Sequence, residues 1–229
     1  MNNIYKMKNY AVLGIMALLG AALAHEDGML TMKIDGNDEQ VNVVSQDWCS
    51  GMISVNDRCV TLSGGGRALI SEQNTDSFNP SMFKVFNLEG KTLSYDVNLS
   101  NVDCSCNAAL YGVTMPGKDW NGNPDPTSGG DYYCDANFDA ELCPELDIFE
   151  ANKYTMAFTP HSCSPATNGH YSDCDHGGCG TNIHDVDAGF MGPGKTIDTN
   201  RQFTQKSTFK TTGDGKHMTV QLLQDDRNV

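Results

Sequence analysis

Residues 145–152 read Glu-Leu-Asp-Ile-Phe-Glu-Ala-Asn, three acids in six residues interleaved with Leu146, Ile148 and Phe149. Side chains alternate across a strand, so Glu145 and Asp147 share one face, and Glu150 falls on the other. A β-bulge adds one residue to one strand and so returns Glu150 to the face of Glu145 and Asp147. Leu146 and one or both of Ile148 and Phe149 then anchor the opposite face in a core. In a flat strand the outer two acids are about 16 Å apart along the chain. Double displacement at a glycosidic bond needs two carboxyl groups about 5–5.5 Å apart. The strand must therefore curve as well as bulge. Glu145 is the candidate nucleophile and Glu150 the candidate acid/base. Asp147 lies between them, where a hydrogen bond from its protonated form favours an ionised Glu145. Two other readings of the same acids are an edge strand turned to solvent and a calcium site.

Outward from this segment, short β-branched or aromatic runs alternate with turns rich in Gly, Asn, Asp and Pro, and helical periodicity is scarce. Residues 29–34 and 40–44 read as a hairpin across Asp35-Gly36-Asn37, and residues 68–71 as extended. Residues 83–87 and 92–99 read as a pair across Glu89-Gly90, and residues 108–115 and 144–151 as apolar strands. Residues 203–211 and 217–223 flank Thr212-Gly213-Asp214-Gly215, a strong hairpin signal. Strands of this length and spacing predict an antiparallel sandwich or barrel. Residues 116–131 and 161–194 lack strand character, and loops that long in a compact domain carry function or lack order. The first holds Trp120 among Gly, Asn and Pro. An exposed Trp there suits stacking on a sugar, and a Trp folded back suits packing on the sandwich.

The formal net charge of −14 argues against nucleic acid, whose phosphates need a basic face. Residues 1–10 carry Lys6 and Lys8 and no acid, residues 11–23 are apolar, and Ala22-Leu23-Ala24 is a small-x-small site. Together they read as a secretory signal peptide over residues 1–24, whose apolar stretch at 11–23 is too short to span a bilayer. Beyond it no apolar run is long enough to cross a membrane. On this reading the chain is extracellular, and the nine cysteines are more readily disulfides than metal ligands. Nine is odd, so one thiol is free or pairs outside the chain. The segment Cys-Asp-His-Gly-Gly-Cys at 174–179, with His184 nearby, has zinc as its rival reading.

The segment at 145–152, followed by Thr-Pro-His-Ser-Cys at 159–163, resembles the signature E-x-D-x-x-E-A-N and T-P-H-x-C of glycoside hydrolase family 7. These are secreted cellulases, cellobiohydrolases and β-1,4-endoglucanases. Phe86 to Met115, Tyr132 to Asp135, and Phe190 to Phe209 resemble further segments of the family, so the likeness runs from about Arg67 to Val229. It implies an all-β fold, a concanavalin-like antiparallel β-sandwich (jelly roll) whose concave sheet forms a glucan cleft, and retaining hydrolysis of β-1,4-glucosidic bonds. It implies Glu145 as nucleophile, Glu150 as acid/base and Asp147 as the group tuning the nucleophile. Tyr133 and Asp135 fall near the reacting sugar, His161 on the leaving-group side, and Asn107 and Tyr111 on the strand lining the cleft. Arg67 aligns with a substrate-binding arginine.

The resemblance also implies a bridge between Cys134 and Cys143 and a small-loop bridge between Cys174 and Cys179. Cys49 with Cys59, and Cys106 with Cys163, are candidate pairs that the sequence leaves open. Domains of the family are longer than this chain and supply the usual partner of Cys104. Residues 25–229 are thus expected to be the N-terminal part of the catalytic sandwich, incomplete in this chain. The resemblance implies a monomer acting on a β-glucan, with no metal, cofactor, nucleic acid or membrane. Two alternatives are a family 16-like β-1,3-glucanase, which uses a similar strand, and a non-catalytic carbohydrate-binding protein on the same scaffold.

Overall fold

A computed structural model describes residues 12–17, 25–45, 52–75, 77–126, 131–138, 141–225 and 227–228. Its strands are β1 (Val12–Ala17), β2 (His25–Ile34), β3 (Asn37–Ser45), β4 (Met52–Asn56), β5 (Cys59–Ser63), β6 (Gly66–Ser71), β7 (Thr92–Val97) and β8 (Ala108–Val113). They continue as β9 (Glu145–Ala151), β10 (Met156–His161), β11 (Thr181–Asn182), β12 (Met191–Gly192), β13 (Ile197–Asp198), β14 (Phe203–Thr212), β15 (Gly215–Gln224) and β16 (Arg227–Asn228). One turn of helix, α1 (Ile183–Val186), follows β11. Eight strands form one sheet in the order β11-β10-β9-β8-β1-β6-β3-β2, and four form another in the order β16-β15-β14-β7. Pairing within both is antiparallel. The all-β sandwich expected from the strand pattern is therefore present.

Two apolar clusters join the sheets. Phe149 and Ala151 of β9 meet Val97 of β7, Phe203 of β14 and Leu222 of β15. Ile148 meets Phe209 of β14 together with Val41, Val43, Ala68 and Ile70. A third cluster covers the other face of the larger sheet, with Val44, Leu69, Tyr111 and Val113 packed against Tyr133, Cys134 and Cys143. Every residue of β6 is buried because its neighbours on both faces are covered: Ala68 and Ile70 point to the inter-sheet core, and Leu69 points to the other face. Such double coverage leaves no room for a polar alternation in this strand.

The hairpins at Asp35-Gly36 and Gly213-Asp214 form as read, and the first extends further, over β2 and β3. Other readings are corrected. Residues 83–87 do not pair with β7. Phe83 instead makes a single bridge to Ser71, Phe86 packs into the inter-sheet core, and β7 pairs with β14. Leu88–Lys91 still turns, with Lys91 N–H donating to Leu88 O. The hairpin β4–β5 and strand β10 were not read from the sequence. Val12–Ala17, within the stretch read as a signal peptide, is a strand lying between β6 and β8. Among the described residues no helix is long and apolar enough to cross a membrane.

The registers of β9 settle the phase of its acids. On β8, Tyr111 is opposite Asp147, Leu110 opposite Phe149 and Ala109 opposite Glu150. On β10, His161 is opposite Glu145, Thr159 opposite Asp147 and Ala157 opposite Glu150. Partners two apart on a regular strand share a face. Asp147 and Glu150, three apart, thus face one way, and Ile148 is the added residue of a β-bulge. Its carbonyl accepts a 3.0 Å hydrogen bond from Nε2 of Gln205 on β14, and both Ile148 and Gln205 are wholly buried. A second donation from Gln205 Nε2, to Ser207 Oγ at 3.0 Å, fixes the amide.

Replacing Gln205 with Met keeps the volume and strands a buried carbonyl. We expect a loss of about 1–3 kcal/mol in unfolding free energy, measured by chemical denaturation. Gln40→Met on an exposed position should change it by less than about 0.5 kcal/mol.

Candidate active site

The bulged face of β9 carries Glu145, 9% exposed, Asp147, 4% exposed, and the half-buried Glu150. Each acid has a different neighbour. Glu145 Oε2 accepts from the backbone N–H of Ala136 at 3.1 Å. Glu150 Oε1 accepts from Nδ2 of Asn107, the residue before β8, at 2.8 Å. Asp147 Oδ2 lies 3.1 Å from Nε2 of His161.

The His161 contact fixes where a proton sits. Its Nδ1 is 2.7 Å from the carbonyl of Asp175, which can only accept, so Nδ1 carries hydrogen. Burial, then the negative charges of Glu145, Glu150 and Asp135, push Asp147 up to about 9. The proton shared with His161 therefore comes from Asp147 Oδ2, and Nε2 accepts it. Burial likewise pushes Glu145 up to about 7, the charge of Asp135 adds to this, and the Ala136 N–H opposes it. The expected hydrogen bond from Asp147 to Glu145 is thus replaced by one to His161. His161 stands opposite Glu145 in the register of the two strands, because antiparallel β10 ends where β9 begins.

The ligand atoms of Glu145, Asp147 and His161 all lie within 4.8 Å of one another, close enough to share a cation. Each of the three also has a hydrogen-bond partner within the protein: Glu145 the Ala136 N–H, Asp147 the His161 ring, and His161 the Asp175 carbonyl.

A second row of groups adjoins the acids. The Tyr133 hydroxyl lies 2.7 Å from Asp135 Oδ2 and 3.1 Å from the Tyr111 hydroxyl. With one proton to give, it donates to the carboxylate and accepts from Tyr111. Tyr111 is directly across the sheet from Asp147, and burial pushes its hydroxyl up to about 12. The Arg67 guanidinium covers the Tyr133 ring at 3.6 Å, a cation–π contact. The structure therefore gathers Glu145, Asp147, Glu150, Asn107, Tyr111, Tyr133, Asp135, His161 and Arg67 in one connected region. Sequence reasoning missed the Ala136 N–H and the Asp175 carbonyl, because a backbone group leaves no trace in residue type.

Cys134–Cys143 forms with Cα atoms 5.5 Å apart, as expected. Cys174 pairs with Cys163 and not with Cys179, which is free. Cys163 and Cys174 face each other across an antiparallel bridge, while the backbone of Cys179 is tied to Pro160 O. Pairing also removes the Cys106–Cys163 alternative and leaves Cys174 no thiolate for a zinc site. Cys59, Cys104 and Cys106 are free, and Cys49 lies outside the described residues. Gly178, at φ +63°, lets its loop close over the histidine: a Cβ there would fall 2.9 Å from His161 Cε1.

The family model of glycosyl hydrolase family 7 matches residues 74–142 and 139–229. The chain belongs to glycosyl hydrolase family 7. Endoglucanase EG-1 of Hypocrea jecorina is 31% identical over 167 residues, covering 65% of this chain and 35% of that protein. EG-1 of Trichoderma longibrachiatum is 30% identical over 196 residues, covering 78% and 40%. The family 7 chain described here thus spans well under half the length of these relatives. Among solved structures, an endoglucanase I complexed with cellobiose superposes with a TM-score of 0.65 at 21% identity, covering 92% of this chain and 72% of that one. A family 7 cellobiohydrolase from Daphnia pulex gives 0.63 at 20% identity, covering 93% and 72%. Both likenesses establish the jelly-roll sandwich.

The raised carboxyls predict a pH-dependent stability. Asp147 and Glu145 bind protons more tightly folded, at about 9 and about 7, than at their ordinary 3.8 and 4.5. Their contribution is complete below pH about 4 and is lost as pH rises through 9. Melting temperature should fall across that window. Asp147→Asn, which can still donate to His161, should flatten the fall above pH about 7 relative to the unsubstituted protein.

Proposed function

We propose that the protein is a secreted retaining glycoside hydrolase that cleaves β-1,4-glucosidic bonds of cellulose or related β-glucans. The observation that carries this reading is the bulge at Ile148, which turns Glu145, Asp147 and Glu150 to one face beside Tyr133 and Asp135. Glu145 attacks the anomeric carbon while Glu150 protonates the departing glycosidic oxygen, and a glycosyl-enzyme ester forms. Water then attacks the same carbon, Glu150 takes its proton, and Glu145 leaves as a carboxylate. Asn107 orients Glu150. The Ala136 N–H favours the ionised Glu145 that attack requires, and burial together with the neighbouring carboxylates keeps Asp147 neutral. Arg67, Tyr111, Tyr133 and Asp135 form the wall against which the reacting sugar rests. The glucan is supported by the endoglucanase names of the matched relatives and by the cellobiose complex of one structural neighbour. Secretion is supported by the charged, apolar and small-residue sequence of residues 1–24.

Glu145→Gln in the intact protein should lower reducing-end release from cellulose by more than about a thousandfold, with cellobiose binding retained. Unchanged hydrolysis, or activity on laminarin alone, would sink this assignment.

The nucleophile must be ionised, so kcat/KM should rise with pH along a limb centred near 7. Because the Asp135 charge raises Glu145, Asp135→Asn should move that limb to lower pH. A limb that stays in place or moves upward contradicts the role of Glu145.

A further inference from the structure

We infer that Trp120 is a carbohydrate-stacking platform, a binding position for a glucosyl unit away from the acids of β9. For its ligand this rests on the glucanase reading above, and for its geometry on the loop that carries it. Trp120 is 59% exposed, although single exposed apolar side chains are ordinary on a protein surface. What distinguishes it is how firmly its loop is held. Asp119 Oδ1 accepts from the N–H groups of Asn121 at 2.9 Å and Asn123 at 2.8 Å, and Asp119 N–H donates to Asn123 O at 2.9 Å. The Trp120 carbonyl accepts from Asn168 Nδ2 at 3.0 Å.

One side of the indole is occupied. The His170 ring lies with its centroid 4.0 Å away at a 44° tilt. His170 is itself fixed, its Nδ1 donating to the Lys118 carbonyl at 2.7 Å. Beneath it Glu141, 3% exposed, accepts from Lys118 N–H at 3.0 Å. Gly117 makes this seat possible, since a Cβ there would fall 2.3 Å from Glu141 Cγ. A buried carboxylate, an imidazole and an amide thus hold one indole in place with much of its surface open to solvent.

The loop's position ties it to the site. It leaves β8 just after Val113, which is opposite Glu145, and Gly117 N–H donates to Tyr132 O, beside Tyr133. The surround is polar, with Lys118, Asn121 and Asn123 close by in sequence, more hydrophilic than the core of a protein interface. A β-linked glucosyl ring has equatorial hydroxyls and flat C–H faces. Its C–H face matches a fixed aromatic surface and its rim matches amide and ammonium donors. Because the platform is already ordered, little conformational entropy is lost on stacking.

The test is calorimetric binding of cellohexaose to the intact protein carrying Glu145→Gln, so that the oligosaccharide is not consumed. Adding Trp120→Ala should weaken binding about tenfold, and Trp120→Tyr should restore most of it. Binding of Trp120→Ala within about twofold overturns the proposal. If Trp120→Ala does not fold, Trp48→Phe leaves Trp120, whose fluorescence is then followed, as the sole indole of these 229 residues. Its emission should shift blue and resist acrylamide on addition of cellohexaose, and an unchanged spectrum at saturation overturns the proposal. Cellulose hydrolysis with Trp120-independent binding defeats the platform alone. Trp120-dependent binding by an unsubstituted protein that releases no reducing ends defeats the glucanase reading and leaves the platform standing.

Discussion

The single residue added to β9 at Ile148 sets the geometry on which the site depends. With a side-chain period of two, acids at positions 145, 147 and 150 cannot share a face unless one position is absorbed. The bulge absorbs it and in doing so removes the Ile148 carbonyl from the ladder inside a dry core. An unmet carbonyl there would cost about as much as a lost hydrogen bond. Gln205 meets it from the opposite sheet. The phase of the acids on one sheet is therefore secured by a side chain of the other, and the arrangement requires the sandwich, not the strand alone.

Burial then governs the protons. The face that orders these acids also keeps water from them, and desolvation is the largest cause raising both Glu145 and Asp147. Three carboxylates this close cannot all be charged at low cost. The structure resolves this by giving each a different partner. Asp147 keeps its proton and donates a hydrogen bond to His161, Glu145 accepts from a backbone N–H, and Glu150 accepts from an amide. Tuning of Glu145 therefore comes from the backbone at Ala136 and the charge of Asp135, with Asp147 acting through its neutrality.

The strand that carries the acids, its bulge and the antiparallel sandwich were legible because they follow from alternation, which is local. The pairing of β7 was not, because alternation says which face a residue takes and nothing about which strand lies beside it. Thr92–Val97 found its partner more than 100 residues on in β14 instead of across the nearby turn at Glu89-Gly90. Gln205 did leave a signal. Phe203, Gln205, Ser207 and Phe209 occupy the inward face of β14, and a polar residue between two inward Phe marks a partner still to be found. Which acid His161 meets was not legible for a different reason. The spacing of the two motifs gives the distance along the chain, while strand polarity decides which acid the histidine meets. The cysteines show the same limit, since residue type marks a thiol and only the fold chooses between Cys163 and Cys179 as the partner of Cys174.

Those disulfides also answer a problem that the acids create. Asp135 raises both Glu145 and Asp147 by its charge, so Coulomb repulsion drives the Tyr133–Asp135 turn away from β9. The Cys134–Cys143 bridge spans nine residues and ends two positions before Glu145, which ties that turn to the strand covalently. The Cys163–Cys174 bridge does the same for the loop that brings the Asp175 carbonyl to His161. Closing loops this short removes about 2–4 kcal/mol of denatured-state freedom each, comparable with the repulsion between partly buried like charges. Strand geometry can align like charges on one face, but it cannot hold a separate loop against them. The covalent links supply that restraint, and they sit where the loops carrying the remaining site groups meet β9 and β10.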